Sequence, residues 1–482
     1  MIAGRNLIAG LWREGASEIE DRNPSDLADL VGLFSQASPA DVHEAVAAAR
    51  EAQPQWAATG LEARAAVLDA IGRELMARSK ELGELLSREE GKTLAEGVGE
   101  VYRSGQFFTY FAAETLRILG ETADSTRAGV EVLVTREPLG VVAVISPWNF
   151  PMATASWKIA PALAFGNAVV WKPANITPAS AWALTEIIHR QAIPAGLFNL
   201  VMGPGSAIGR ELAAKAEIQG LSFTGSGEVG SGIAGAAAAR FVKLQLEMGS
   251  KNPLVIMDDA DLDRAVDLAV NGAFGGTGQK CTASSRLIVH RPIHDAFVER
   301  FLVKTKALKV GHALGEGTQM GPVVSQAQLD SNLAYVALAQ SEGGELATGG
   351  HQLERAEKGY YMAPTVFLNT TPRMRVNQEE MFGPITCVLS VADLDEAIDV
   401  ANDTLYGLTA GIATRSLARA SKFRRASRSG CVMVNLPTAG TDYHVPFGGT
   451  RASSYGPREQ GRAAVEFYTQ MKTSYIYAGP AL

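Results

Sequence analysis

The sequence predicts an α/β protein built on parallel sheets with helices on both faces, divided into more than one domain. Three observations lead there. From about residue 130, short β-branched runs (VEVLVTREPL, GVVAVISPW, NAVVWKP, FNLVMG, GLSFTG) alternate with Ala-rich helical stretches, the pattern of a parallel sheet covered on each side. A second series starts near KNPLVIMDDADLDRAV and runs through SSRLIVH, APTVFL, ITCVLSV and GCVMVN, so a second α/β domain is expected after about residue 250. At 482 residues the chain also exceeds one ordinary core, since domains usually hold about 100–200 residues.

Taken in order, segment 38–97 carries apolar residues at helical spacing with Ala, Glu, Arg and Leu in excess, and predicts two or three amphipathic helices. Ser38 is placed to cap the first of them, with Pro39 at its first position. Another helix is expected over about 97–119, before Gly120. Thr177 followed by Pro178 signals one more helix start. The stretch 120–138 and the tail TQMKTSYIYAGPAL, 469–482, lack a helical pattern and predict strands without partners in either sheet, suited to pairing with another subunit.

Composition narrows the function. The hydrophobic fraction of 46% and charged fraction of 20% suit a compact globular protein. A formal charge of -7 provides no broad basic surface, so nucleic acid and anionic lipid are not expected partners and a small molecule is. No run approaches the roughly 18 apolar residues of a spanning helix, and Arg5 and Arg13 interrupt the start, so a cytoplasmic location is expected. None of the seven histidines has HExxH or comparable spacing, and no metal is expected.

The three cysteines, Cys281, Cys387 and Cys431, form no disulfide pattern. Cys387 in PITCVLS and Cys431 in SGCVMVN sit in strand-like runs and read as small core residues. Cys281 differs, because NGAFGGTGQKCTASSR surrounds it with glycines and polar residues; there a thiolate is favoured by a free backbone N–H and nearby positive charge, with Lys280 the candidate for the charge. Glu247, 34 positions earlier in KLQLEMGSKN, has apolar neighbours that raise a carboxyl pKa and fit it to take a proton from water; the plain alternative is a solvated strand-end acid. Gly225 to Gly230 in SFTGSGEVG follows a strand and opens a helix, so its backbone N–H groups face a candidate pyrophosphate site, although the spacing departs from GxGxxG. GPGSAIG at 203–209 is a competitor, read as an ordinary turn.

Seven motifs in order, SPWNFP at 146–151, WKPA at 171–174, FTGS at 223–226, LEMGSKNP at 246–253, GQKCTASSR at 278–286, EEMFGP at 379–384 and PFGG at 446–449, resemble those of the aldehyde dehydrogenase superfamily. The resemblance implies a Rossmann-like cofactor domain (1–119 and 139–250), a catalytic α/β domain (251–450) and a small β oligomerisation flap (120–138 and 463–482) in a homodimer or homotetramer. It implies that Cys281 attacks the aldehyde, that the Asn149 amide and the Cys281 backbone N–H hold the oxyanion, and that hydride passes to a nicotinamide. Glu247 then activates the water that releases the acid from the thioester. Ser146, Pro147, Trp148, Lys172, Asn175, Gly205, Gly225, Ser226, Glu380 and Phe382 are the implied cofactor contacts, with Glu380 on the nicotinamide ribose and Lys172 on the adenosine ribose. Asn175 stands where strict NAD users often carry glutamate, so both NAD and NADP are expected.

LEMGSKNP, GQKCTASSRLIV, VNLPTAGTDYHVPFGG and SSYGPREQGR are similar, more narrowly, to the α-ketoglutaric semialdehyde (2,5-dioxopentanoate) dehydrogenases. The implied substrate contacts are Arg103, Asn149, Trp157, Thr282, Thr438 and His444, with the Arg103 guanidinium gripping a substrate carboxylate. Alternatives stay open: succinic or glutaric semialdehyde as substrate, an acylating relative that passes the thioester to coenzyme A, or a non-catalytic binding protein on the same scaffold.

Overall fold

A computed structural model describes residues 1–479. The final three positions of the expected tail segment lie outside the described residues. Four sheets organise the described residues. The largest has eight strands in the order Ser454–Tyr455, Lys243–Glu247, Gly220–Thr224, Val141–Ile145, Ala168–Lys172, Phe198–Leu200, Asn6–Ile8, Leu11–Arg13. Its central five strands pair in parallel and are fully or almost fully buried, which is why VVAVI and AVVWK are continuous apolar runs rather than alternating ones. In register, Ile145 faces Lys172 and Thr224 faces Glu247, so four carboxyl ends open along one edge.

A seven-stranded sheet forms the second α/β layer, with Asn252–Ile256 and Ser284–His290 side by side at its centre and Ile385–Val391, Thr365–Leu368, Thr409–Ala413 and Cys431–Val434 outward in parallel. Cys281 lies just before the amino end of Ser284–His290, whereas Glu247 ends a strand of the first sheet. The cleft between them therefore has strand carboxyl ends on one wall and strand amino ends on the other.

Three helices, Pro39–Ala57, Leu61–Ala77 and Ser79–Glu90, fill 38–97, and the next runs Leu94–Thr115, ending four residues short of the expected limit. Ser38 caps the first through a capping box with Asp41. Thr177 does not cap the helix Pro178–His189. Its place is taken by the buried carboxylate of Glu89, which accepts from the N–H groups of Ala179 and Ser180 and from the Ser180 hydroxyl. A full carboxylate from a distant helix opposes the N-terminal dipole better than a local hydroxyl. GPGSAIG is not an ordinary turn either, because Gly205–Gly209 is helical and continues into Arg210–Ala214.

The strands expected to lack partners find each other. Val130–Pro138 pairs antiparallel with Thr469–Tyr477 on one side and Glu121–Asp124 on the other. Thr469–Tyr477 remains an edge strand, with Met471, Tyr475, Ile476 and Tyr477 exposed. In a small sheet of Ile2–Gly4, Leu30–Gln36 and Ser17–Arg22 the two outer strands carry little sequence signal, Ile2–Gly4 being short and Ser17–Arg22 strongly polar. Among the described residues no helix is long and apolar enough to cross a membrane.

Candidate active site

One cleft of about 510 Å³ opens along the carboxyl edge of the eight-stranded sheet. Cys281, Glu247 and Asn149 all line it. The loop that delivers Cys281 makes a tight turn in which Gly276, Thr277 and Gly278 all have φ near +60°. A Cβ at Gly278 would strike the Gly383 carbonyl, so the glycine lets this loop close on the EEMFGP segment. The Asn149 amide donates to the Gln279 carbonyl at 2.9 Å, two residues before the cysteine, which ties the two loops together.

Lys280 does not serve the thiol. Its ammonium pairs with Glu96 at 3.3 Å, and neighbouring acids act on the sulfur instead. Burial first, then the carboxylates of Glu380 and Glu247, push the Cys281 thiol well above its ordinary pKa. The resting group is therefore a thiol that needs a base.

Glu247 is 3% exposed, not a solvated strand-end acid. Burial, then the buried carboxylate of Glu459, hold its carboxyl well above the usual range, against a 2.6 Å hydrogen bond from Ser454 and the positive charges of Lys158 and Arg458. Gly448 of PFGG, at φ +148°, leaves room for one Glu247 oxygen, since a Cβ there would come within 2.7 Å of it. Behind it, Lys158 pairs with Glu459, and Ser222 bonds to Gln245. Ser454, Lys158 and Glu459 escaped the sequence reading because a lone hydroxyl or acid carries no signal until the fold brings 454 and 459 beside 247.

Every residue expected to contact the cofactor lines the same cleft. Ser146, Pro147 and Trp148 follow one strand end, Lys172 and Asn175 the next, and Gly205, Gly225 and Ser226 enter from helix starts, with Glu380 and Phe382 opposite. Ser226 caps Gly227–Ala238 by accepting from the Val229 N–H, so that helix presents its positive end to the cleft. Lys172 is 5% exposed and has no carboxylate partner among the described residues; burial brings its pKa down to about 8. Asn175 Oδ1 and Thr224 Oγ1, from two more residues of the cleft lining, are buried without partners among the described residues. Glu380, raised to about 7 by burial, accepts from the Ser250 N–H at 2.8 Å, and Gly249 is required there because a Cβ would overlap that carboxylate. An unpaired cation, a helix N-terminus and orphaned polar atoms at parallel strand ends fit a dinucleotide.

The expected substrate contacts divide. Trp157 lines the cleft and has its Nε1 buried without a partner. Its ring meets Phe447 at 5.8 Å and Phe107 at 5.6 Å; Phe107 in turn meets Tyr443, over which the Arg103 guanidinium sits at 5.4 Å. Arg103 thus ends an aromatic wall that starts inside the cleft, without a carboxylate partner among the described residues. Thr438 is fully buried, with its hydroxyl donated to the Thr282 carbonyl and bonded to Ser284, and so it stands behind the cysteine loop rather than in the cleft. Thr282 is 8% exposed and His444 lies exposed beside Tyr443; neither lines the cleft. Cys387 is a core residue, while Cys431 is only half-buried, its thiol 3.8 Å from the Gly448 carbonyl.

The sequence profile of the aldehyde dehydrogenase family matches residues 12–474. The chain belongs to that family. Its activity is the NAD(P)-dependent oxidation of an aldehyde to a carboxylate. An α-ketoglutaric semialdehyde dehydrogenase of Bacillus subtilis is 42% identical over 98% of this chain and 97% of its own. A 2,5-dioxopentanoate dehydrogenase of Saccharolobus solfataricus is 38% identical over 97% of this chain and 98% of its own. Among solved structures, a betaine aldehyde dehydrogenase of Staphylococcus aureus in complex with NAD+ superposes with a TM-score of 0.97 at 34% identity, covering 99% of this aldehyde dehydrogenase and 95% of that chain.

Proposed function

We propose that this aldehyde dehydrogenase oxidises α-ketoglutaric semialdehyde to 2-oxoglutarate, with Cys281 as nucleophile, Glu247 as base and Asn149 as oxyanion donor. The observation that carries the reading is the opening of all three residues onto one cleft that Lys172 and Glu380 also line. Glu247 takes the Cys281 proton and the sulfur adds to the aldehyde carbon. The new alkoxide is held by the Asn149 amide and the Cys281 backbone N–H, donors fixed before the charge develops. A bound nicotinamide supplies the hydride acceptor, and a thioester is left on Cys281. Glu247 gives that first proton up to solvent, then removes a proton from water, whose oxygen attacks the thioester; the acid leaves and Glu247 returns its second proton to the Cys281 sulfur, restoring the thiol.

The substrate assignment draws on the two relatives and on Arg103. An aldehyde carrying a carboxylate at its far end suits an unpaired guanidinium beyond an aromatic wall. Trp157 lines the cleft and, with Phe447, gives the aldehyde chain an apolar wall. Lys172 reaches the adenosine ribose, and with Asn175 in place of an acid the enzyme takes NADP as well as NAD. The exposed edge of Thr469–Tyr477 suits strand pairing with a second copy in a dimer or tetramer.

Steady-state rates with α-ketoglutaric, succinic and glutaric semialdehydes and propanal, each with NAD and NADP, test the reading. The highest kcat/KM is expected for α-ketoglutaric semialdehyde, and a higher value for succinic or glutaric semialdehyde would replace the assignment. Arg103→Ala should raise KM for the carboxylate-bearing aldehydes by about tenfold while leaving propanal nearly unchanged, the loss of roughly 1.4 kcal/mol of selective binding.

A further inference from the structure

The connection between the helices Ser79–Glu90 and Leu94–Thr115 reaches both walls of the cleft. Lys92, 4% exposed, donates from Nζ to Glu100 Oε2 at 2.6 Å and to the Asn149 backbone carbonyl at 2.7 Å. The same ammonium lies 4.2 Å from the centre of the Phe150 ring. The other Glu100 oxygen accepts from the N–H groups of Met152 and Ala153 at 3.0 and 3.1 Å. These donors open the helix Ala153–Ala164, which has no side-chain cap of its own. Glu90 accepts the Lys92 backbone N–H at 2.9 Å and completes the clamp. Further along the same segment, Glu96 closes a capping box with Thr93 and holds Lys280, the neighbour of Cys281.

A buried ion pair is a poor way to stabilise a fold, because desolvating both charges offsets most of their attraction. What this pair supplies is direction: its side-chain hydrogen bonds and cation–π contact outside its own segment fall on residues 149–153. Asn149 is then fixed twice, through its carbonyl by Lys92 and through its amide by Gln279. We infer that Lys92 and Glu100 are positioning residues that aim the Asn149 amide at the oxygen of the Cys281 adduct. The inference rests on Asn149 being the oxyanion donor. A shift of about 1 Å in such a group can cost roughly 100-fold in rate.

The test is a double-mutant cycle on the full-length enzyme, with kcat and KM measured for Lys92→Met, Lys92→Arg and Glu100→Gln in the parent and in Asn149→Ala. Lys92→Met and Glu100→Gln should each lower kcat by about 10- to 100-fold with KM within about twofold, and Lys92→Arg should recover part of the loss. In the Asn149→Ala background each should cost less than about twofold, because the group they position is gone. Costs that multiply in that background, or changes confined to KM, would overturn the positioning role while leaving a slow Asn149→Ala enzyme to support the oxyanion reading. An Asn149→Ala enzyme as fast as the parent would overturn both. Should Lys92→Met not fold, Glu100→Gln runs the same cycle, since it removes the charge and keeps an acceptor for Met152 and Ala153.

Discussion

Lys280 points its ammonium at Glu96, 3.3 Å away, and leaves the adjoining Cys281 facing two carboxylates. The nucleophile is thus held as a thiol by burial and by Glu380 and Glu247. Alkylation by iodoacetamide without cofactor should be slow near neutrality and still rising above about pH 9. Glu380→Gln removes one of the charges that raise the thiol, so at pH 8 it should speed inactivation by about threefold. Lys280→Met should leave the rate unchanged. If Lys280→Met slowed alkylation and Glu380→Gln did nothing, the electrostatic account of the thiol would be wrong.

Glu247 acts as a base only when ionised, and its pKa lies well above that of an ordinary carboxyl. The rate should therefore fall, as pH drops, at a higher pH than a solvated glutamate would give. Glu459→Gln removes a raising charge and frees Lys158, which lowers Glu247, so the acid limb of kcat should move to lower pH. An unchanged or upward shift would sink the assignment. Glu247→Gln should lower kcat by about 100- to 10,000-fold, since the water that splits the thioester loses its base.

Sheet alternation, helix spacing and the glycine clusters around Cys281 were legible in the sequence because each is a local pattern. The ordered motifs singled out Cys281, Glu247 and Asn149, which the fold brings to one cleft. Their electrostatics were not legible: Lys280 lies next to Cys281 in sequence yet is turned to Glu96, and Glu459 acts on Glu247 from 212 positions away, which only the tertiary pairing of 454–455 with 246–247 explains. Thr177 failed as a cap for the same reason, a stronger acceptor arriving from Glu89. Thr438 shows the reverse error, since proximity in a motif hid the fact that its hydroxyl is already spent on Thr282 and Ser284.

Cofactor choice should turn on the sign of one side chain. Asn175→Glu places a carboxylate in the cleft that Lys172 also lines and should cut kcat/KM for NADP by about tenfold more than for NAD. With the Lys172 pKa at about 8, the free enzyme loses that positive charge as pH rises through 8, so KM for NADP should climb between pH 7 and 9. Equal losses for both cofactors in Asn175→Glu would remove residue 175 from the discrimination.

Stability should carry the mark of a second buried acid pair, far from the chemistry. Asp21, 5% exposed, is raised to about 10 by burial and by Glu89, and one of its oxygens has no partner. An unfolded aspartate titrates near 3.9, so the native chain keeps a proton that the unfolded chain releases above about pH 4. The stability this proton contributes is present below that pH and is lost progressively as pH rises toward 10. Asp21→Asn supplies a permanent neutral donor to Glu89 and removes the dependence. Melting temperatures should then show Asp21→Asn above the parent at pH 8.5 by a few degrees, at on the order of 2 °C per kcal/mol, with the gap narrowing toward pH 5. The same gap at both pH values would mean that Asp21 is ionised in the folded protein and that Glu89 caps its helix without a shared proton.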